Sequence, residues 1–470
     1  MTHEIPYSQD ALELLHEGAV TMAEIECNGM GVDVARIDRT IAEMKKTVAE
    51  KQQALEANEV MIEWRKRFRN KTNVNSREQL GTVLFDVMGF EGVGETAGGR
   101  HKTDEEALEE LDIPFVDDYL LTQKLQKAMS TNLVGIKREV VNGRIHCFFN
   151  LHNAVSYRST SESTNFQNQP IRHPLIGPMI RSCFIPSPGN QIVEIDYSGA
   201  EVRAGASVTK DPVLINYVLD ELTDMHRDTA LELFMLDPSE FEDKQGKLIR
   251  FEAKSNFVFA QFYGSWYVQC APRLWKAIKD LTVRDGTPLR KHLKRKGIRE
   301  LGACNAKERP RPGTFEAVVK ATEESFWNKR FKVYAQWKKD NFALYQQQGY
   351  LKTATGFICR FGKSGPMAKN DANNYPIQGP AFHCLLWSVI RIVRKEMPKR
   401  KMRSKVVGQI HDSIVADVVP EERDEYLELC KRVMVDKVAK HFPWLLVPMK
   451  IEADVSPVNG SWAEKKGIEI

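Results

Sequence analysis

One stretch constrains this chain more than any other: Gln191-Ile-Val-Glu-Ile-Asp-Tyr-Ser-Gly-Ala-Glu-Val-Arg203. Ile192, Val193 and Ile195 form a short apolar run that reads as a buried strand. The strand delivers Asp196 to its end, and Glu201 and Arg203 follow in a segment that turns helical. A carboxylate at the end of a buried strand is costly unless something pairs with it. A divalent cation is the natural partner, so the fold must supply a second acid close by.

A second acid occurs in Val406-Val-Gly-Gln-Ile-His-Asp-Ser-Ile-Val-Ala-Asp-Val418, which reads as strand, tight turn, strand. Asp412 sits at the turn, beside His411 and Ser413. A turn that merely needs a polar residue would also choose Asp. Two strand-end aspartates in apolar settings, together with a basic helix, point instead to a two-metal site for in-line phosphoryl chemistry. The basic helix is Arg250-Phe-Glu-Ala-Lys-Ser-Asn-Phe-Val-Phe-Ala-Gln-Phe-Tyr-Gly264. Arg250 and Lys254 are four apart and share a helical face that can grip a polyphosphate, with aromatic residues beyond as a stacking surface.

Composition sets outer bounds. With 42% hydrophobic and 28% charged residues the chain is globular, not disordered. A net charge of only +4 excludes a bulk polycation but not a local basic groove, and basic runs occur at 65–71 and 290–296. The eight cysteines show no C-x-x-C pair or metal-ligand spacing, which indicates neither zinc nor disulfides and a reducing compartment. No signal segment or spanning apolar run is seen, so the expected location is cytoplasmic.

Along the chain, residues 8–58 read as helices broken at Gly29-Met-Gly-Val-Asp33. A short amphipathic helix follows Ser76, and Thr103-Asp-Glu-Glu106 reads as a capping box. Residues 92–99 are a glycine-rich loop without the order of a nucleotide-cradling motif. Residues 265–345 are helical and basic, with a loop at Arg309-Pro-Arg-Pro-Gly313, and Asn373-Asn-Tyr-Pro-Ile-Gln378 opens a helix running through Ile392.

Taken in order, these motifs resemble the polymerase portion of family A DNA polymerases, the group of bacterial DNA polymerase I and many phage enzymes. Residues 196–203 look like motif A, 250–264 like motif B and 411–413 like motif C. Arg158 with Gln167 and Asn168, the Asp224-x-His226 pair and the 374–378 segment are further matches. Residues 73–85 with the 96–103 loop are similar to the family's thumb, and Asn459-Gly-Ser-Trp462 to its C-terminal tail.

The resemblance implies an α+β right hand with an antiparallel palm sheet and helical thumb and fingers. Palm would be entered at 1–35, with a thumb at 36–135, palm with motif A at 136–210, fingers at 211–364 and palm with motif C at 365–470. It implies a template-directed DNA polymerase that extends a primer with dNTPs, using two Mg2+ ions (with Mn2+ as substitute) held by Asp196, Asp412 and the Tyr197 carbonyl. His226, Arg250 and Lys254 would contact the triphosphate, with Lys254 also protonating the leaving pyrophosphate. Phe259 and Tyr263 would face the nucleotide, and Glu201 would exclude a 2'-hydroxyl. Arg158, Gln167, Asn168, Asn374, Gln378 and His411 would contact primer-template DNA. The resemblance further implies a monomer of phage-like organisation. Nothing upstream of the polymerase pattern would hold an exonuclease domain, so any exonuclease or processivity factor would be a separate chain.

Four departures from the family pattern stand out. Aromatics usually lie four and eight residues after the motif B lysine, but here those positions are Val258 and Phe262. A regular helix would present that pair to the nucleotide. A one-residue π-type bulge would present Phe259 and Tyr263 instead, and the intact Tyr263-Gly264 unit favours the bulge. A Phe in the stacking position is expected to discriminate against dideoxynucleotides. Gly199-Ala200 replaces bulkier residues, Ser413 stands where a second acid is common, and Asn370 stands where an arginine often contacts template. Two other readings share the palm motifs. A single-subunit RNA polymerase is opposed by Glu201, and a non-catalytic DNA-binding relic is opposed by the intact Asp196, Asp412 and Lys254.

Overall fold

The computed structural model describes residues 8–92, 96, 98–109, 111, 113–169, 173–220, 222–241 and 243–470. At its centre is a five-stranded antiparallel sheet built of β1 (Gln191–Tyr197), β2 (Lys405–Ile410), β3 (Ser413–Val418), β4 (Ile451–Val455) and β5 (Lys466–Ile468), in the order β2-β3-β1-β4-β5. The predicted apolar run lies at its heart, with Ile192, Val193 and Ile195 fully buried. β1 is paired on both sides, so Asp196 faces Ser413 on β3 and Glu452 on β4. The β2–β3 turn brings Asp412 to the same end of the sheet, where its carbonyl accepts from the Tyr197 amide at 3.1 Å.

Helices α1 (Ala200–Thr209), α2 (Lys244–Ala253), α5 (Lys332–Gln348) and α6 (Lys369–Arg391) contribute to the cleft, whereas α3 (Tyr267–Ala277) and α4 (Leu289–Arg295) do not. α1 starts directly after β1 because Gly199, at φ +64°, turns the chain through the left-handed region. That is a physical reason for the glycine in motif A: its missing Cβ would meet nothing within 4 Å, but its backbone favours Gly. α6 crosses behind the sheet against α1 and is buried along most of its length, and it stays helical through Pro376 and Pro380. It begins at Lys369, four residues before the expected start, with Asp371 accepting from the Ala368 amide.

Helices Gln9–Asn28 and Val34–Glu56 are separated by the strand Met30–Val32, as the glycine pair at 29–31 foretold. A second core gathers Leu55, Trp64, Leu84, Leu108 and Tyr119 and holds together the helical lobe expected to be the thumb. Ser76 caps the helix Arg77–Gly81 by accepting from the Gln79 amide. The expected capping box at 103–106 is shifted by one: Asp104 is the cap of Glu105–Glu109, accepting from the Ala107 amide at 2.9 Å. The Glu106 side chain, residues 93–95 and 97 of the glycine-rich stretch, and residues 170–172 lie outside the described residues. In the basic region 265–345 the expected loop at 309–313 is non-helical, and a further non-helical segment separates α3 from α4. No described helix is long and apolar enough to cross a membrane.

Candidate active site

A cleft of about 1100 Å³ opens at the end of the sheet that carries the two aspartates. It is lined by residues from the sheet, from α1 and α6, and from the helix containing Arg250. The carboxylates of Asp196 and Asp412 are close enough to share a hydrogen bond. Burial, then Asp412 and Glu194, hold the Asp196 carboxyl well above the ordinary carboxylate range. Neither acid makes an ion pair among the described residues. Glu194, two residues back on the same sheet face, is compensated by Lys465 (2.5 Å), the Trp462 indole N–H (2.7 Å) and the Ser413 hydroxyl (3.2 Å). Ser413 is therefore turned along the sheet toward Glu194 and offers the site no acid.

This donor set fits a divalent cation. Two crowded carboxylates with no cationic side chain between them lack the one charge that would relieve them. Among the described residues no group of three or more His, Cys, Asp and Glu side chains could enclose a metal. The site thus suits Mg2+, which keeps waters and takes substrate phosphates in place of an all-protein cage.

Beside the acids, Glu201 on the first turn of α1 accepts from Arg158 at 2.9 Å. Burial, with the Glu201 carboxylate nearby, pushes the Tyr263 phenol pKa up. At the far side, Asp224 caps the helix Met225–Phe234 by accepting from the His226 and Arg227 amides, and its other oxygen takes Arg250 Nε at 2.5 Å. Burial, with Arg250 and Lys254 beside it, lowers the His226 pKa to about 4. The imidazole is thus neutral at pH 7, and its Nδ1 is buried without a partner among the described residues. Lys254 Nζ stands 5.2 Å above the Phe259 ring, whose edge meets His226.

Motif B is irregular where the residue spacing required it. α2 passes into a π-helical turn, Lys254–Val258, before resuming as Phe259–Phe262. The extra residue puts Val258 wholly into the core and stacks Phe262 against Tyr334 at 5.5 Å. Phe259 and Tyr263 line the cleft, and Phe262 also reaches it, whereas Val258 does not. Gly264, at φ +91°, ends this helix where a Cβ would stand 2.5 Å from the Asn370 amide. Asn370 and Asn374 donate to the Gly264 and Tyr263 carbonyls at 3.3 and 3.2 Å, tying α6 to the end of motif B.

Of the expected DNA-contacting residues, Arg158, Asn374, Gln378 and His411 line the cleft. Gln167 and Asn168 do not. Gln167 is only 5% exposed, and its amide is bonded to Gln409 (2.7 Å) and Ser159 (2.8 Å). Asn168 is exposed beside it, its backbone N–H donating to Asn165.

Comparison with known proteins agrees with this arrangement. The description DNA polymerase family A matches residues 38–279 and 318–464. The chain belongs to that family. It is 28% identical over 457 residues to the thermostable DNA polymerase I of Thermus filiformis, covering 95% of this chain and 47% of that protein. It is 27% identical over 470 residues to DNA polymerase I of Bacillus subtilis, covering 98% and 47%. The chain thus spans less than half the length of these curated relatives. The fold is that of the POL domain of Pol1 from M. smegmatis, solved in complex with DNA primer-template and dNTP (TM-score 0.74, 23% identity, 96% of this chain and 70% of that one).

Several cleft residues escaped the sequence reading, Glu452 and Tyr334 among them. Glu452 lies across from Asp196 on β4 and accepts from the Ser198 hydroxyl at 2.8 Å. Tyr334 on α5 backs Phe262. Glu452 sits in an alternating run, Lys450-Ile-Glu-Ala-Asp454, whose period marks a strand. Only the pairing of that strand with β1 brings it to the site.

Proposed function

We propose that this chain is a DNA-directed DNA polymerase that adds dNTPs to the 3'-hydroxyl of a primer paired to a DNA template. The observation that carries the reading is the single cleft in which the Asp196–Asp412 pair faces Arg250, Lys254 and the neutral His226, with Glu201 and Tyr263 between them. That grouping suits a nucleoside triphosphate: cations for the phosphates, acids for the reacting end.

Asp196, Asp412 and the Tyr197 carbonyl would hold two Mg2+ ions, which when bound lower the pKa of the attacking hydroxyl and neutralise the pyrophosphate. Arg250 keeps its geometry through Asp224 and directs its remaining N–H groups at phosphate oxygens. His226, uncharged, supplies a further hydrogen bond there. As the primer oxygen bonds to the α-phosphorus and the α–β bridge breaks, Lys254 Nζ gives its proton to the departing pyrophosphate. Phe259 supplies a face for the incoming base. Glu201, fixed by Arg158, fills the space a 2'-hydroxyl would need, which makes the substrate deoxyribose. Arg158, Asn374, Gln378 and His411 would meet the primer terminus and template on the minor-groove side, where donors check base-pair shape without reading sequence. Gln167 would act through Gln409 in its present position, and Asn168 at the rim. The lobe at 36–135 would serve as thumb and residues 211–364 as fingers.

A primed template with Mg2+, given each dNTP singly and then the four rNTPs, tests the reading. Template-matched addition of dNTPs is expected. Absence of extension, or equal use of rNTPs, would overturn it.

A further inference from the structure

The match to the family is interrupted at residues 280–317. This segment carries ten Lys and Arg against five Asp and Glu, a net of +5 in a chain whose total is +4. The remainder of the protein is therefore at −1, and the excess positive charge sits where the family description has no counterpart.

The segment is docked and ordered. Leu289 and Leu293 of α4 are fully buried and Ile298 is 7% exposed. Arg290 lies over the Trp275 ring at 4.8 Å and donates through Nε to the Trp275 carbonyl. His292 Nε2 meets the Met235 carbonyl at 3.1 Å. With the apolar side of α4 pinned this way, Lys291, Lys294, Arg295, Lys296 and Arg299 all lie exposed. None of the five makes an ion pair among the described residues, whereas neighbouring Glu300 is taken by Arg311. Lys291, Lys294 and Arg295 lie at i, i+3 and i+4, where like charges repel. The C-terminal end of α4 favours some positive charge, but that accounts for neither Lys291 nor Arg299.

Its position relates the patch to the cleft. α3 starts three residues after Gly264, at the edge of the cleft, and runs eleven residues to Ala277. At its far end Trp275 carries Arg290, and the next residue, Lys276, donates to Glu109 of the helical lobe at 2.7 Å. The basic face thus lies at the end of α3 away from Gly264, where that helix meets the lobe at 36–135; α3 is roughly 16 Å long at 1.5 Å per residue.

We propose that the exposed cations of the 280–317 segment bind the phosphates of the single-stranded template ahead of the primer terminus. This rests on the polymerase reading above and extends it to a second, sequence-independent DNA surface. It gives the chain a hold on template not yet copied.

The test uses the full chain and one primer duplex with 5' template overhangs of one, three, six or twelve nucleotides, read by fluorescence anisotropy. Wild type is expected to bind the six- and twelve-nucleotide overhangs at least fivefold more tightly than the one- and three-nucleotide overhangs. Because the added contacts are to phosphates, that gain is expected to shrink toward none between about 50 and 200 mM salt. The quadruple variant Lys291→Gln, Lys294→Gln, Arg295→Gln, Lys296→Gln is expected to lose the gain while binding and extending the one-nucleotide overhang as wild type does. A variant that keeps the overhang dependence overturns the proposal, as does a wild type that shows none. Single-nucleotide extension on the shortest overhang reports the polymerase reading separately, so its failure in wild type sinks that reading and not merely this one. Should the quadruple variant fail to fold, Lys294→Gln with Lys296→Gln is expected to remove half of the salt dependence.

Discussion

The two ends of the cleft are built on different scaffolds and hold their charges in different ways. The acidic end stands on β1, a strand paired on both sides and packed into the core, with Asp196 and Asp412 crowded together and unrelieved by any cationic side chain among the described residues. The cationic end stands on a helix interrupted by a π-turn, where Arg250 is already satisfied by Asp224. A sheet can hold two like charges together because its backbone bonds do not yield to their repulsion. A helix with an inserted residue can reorient its side chains, and its cations can change partners when substrate phosphates arrive. The acid end is thus strained and fixed, the cation end relaxed and adaptable.

The largest consequence concerns the acids. Asp412→Ala is expected to lower dNTP addition by about 10³-fold or more, roughly 4 kcal/mol of transition-state stabilisation. In metal-free buffer the same variant is expected to melt no lower than wild type, because it removes a repulsion from the folded state. Single-turnover extension and a thermal melt in EDTA check the two halves. A variant that lost both activity and stability would show that the pair is a structural contact and would break the contrast.

Next comes Glu201, which links the two ends. Glu201→Ala is expected to reduce discrimination against rNTPs by on the order of 10²-fold, since it opens the space a 2'-hydroxyl needs. Glu201→Gln keeps the volume and should keep most of the discrimination while losing the charge that holds Arg158. Ratios of kcat/KM for dATP and ATP on one template separate the two. If Gln were as permissive as Ala, the gate would be electrostatic and not steric.

The same contrast explains what was legible in the sequence. The acids were readable because a strand-end Asp after an apolar run, and an Asp in a hairpin turn, are local patterns that survive folding. The π-turn was also readable, as a conflict between the Lys254 spacing and the Tyr263-Gly264 unit. Glu452 was not, because its place depends on the pairing of β4 with β1, a contact between residues 256 positions apart. The burial of Gln167 was not legible for a related reason: its partner Gln409 arrives from β2. The capping box slipped by one because Thr103 and Asp104 are both good caps, and only the backbone angle chooses between them. Gly199 needed its φ to be understood at all.

The helix end can be probed by length. A π-turn is an inserted residue accommodated in an α-helix, so deleting exposed Ser255 should restore regular bonding and leave Phe259 and Tyr263 four and eight residues after Lys254. Extension by the deletion variant is expected to stay within about fivefold of wild type. One further residue inserted at the same place would rotate both rings by about 100° and should abolish nucleotide binding. Loss of activity on deletion would mean that the bulge itself, and not merely the faces it aligns, is used in the reaction. The cation end would then be as rigid in its demands as the acid end.

The smallest effect tests whether the cation end is relaxed before substrate binds. His226 has a folded-state pKa of about 4 against an ordinary value of 6.5, lowered by burial, Arg250 and Lys254. As pH falls through 6.5 the unfolded chain takes up a proton that the folded chain refuses until about 4. The unfolded state therefore binds more protons across that window, and stability falls with pH there. The contribution is fully present above 6.5 and is lost on approaching 4. After discounting for partial exposure it is on the order of 1 kcal/mol, a shift of a few degrees in Tm. His226→Gln, which carries no proton to refuse, should flatten this part of the Tm-versus-pH curve in metal-free buffer. Parallel curves for the two proteins would mean that His226 is charged in the fold. Three cations would then crowd the phosphate end, leaving it as strained as the acidic end it was contrasted with.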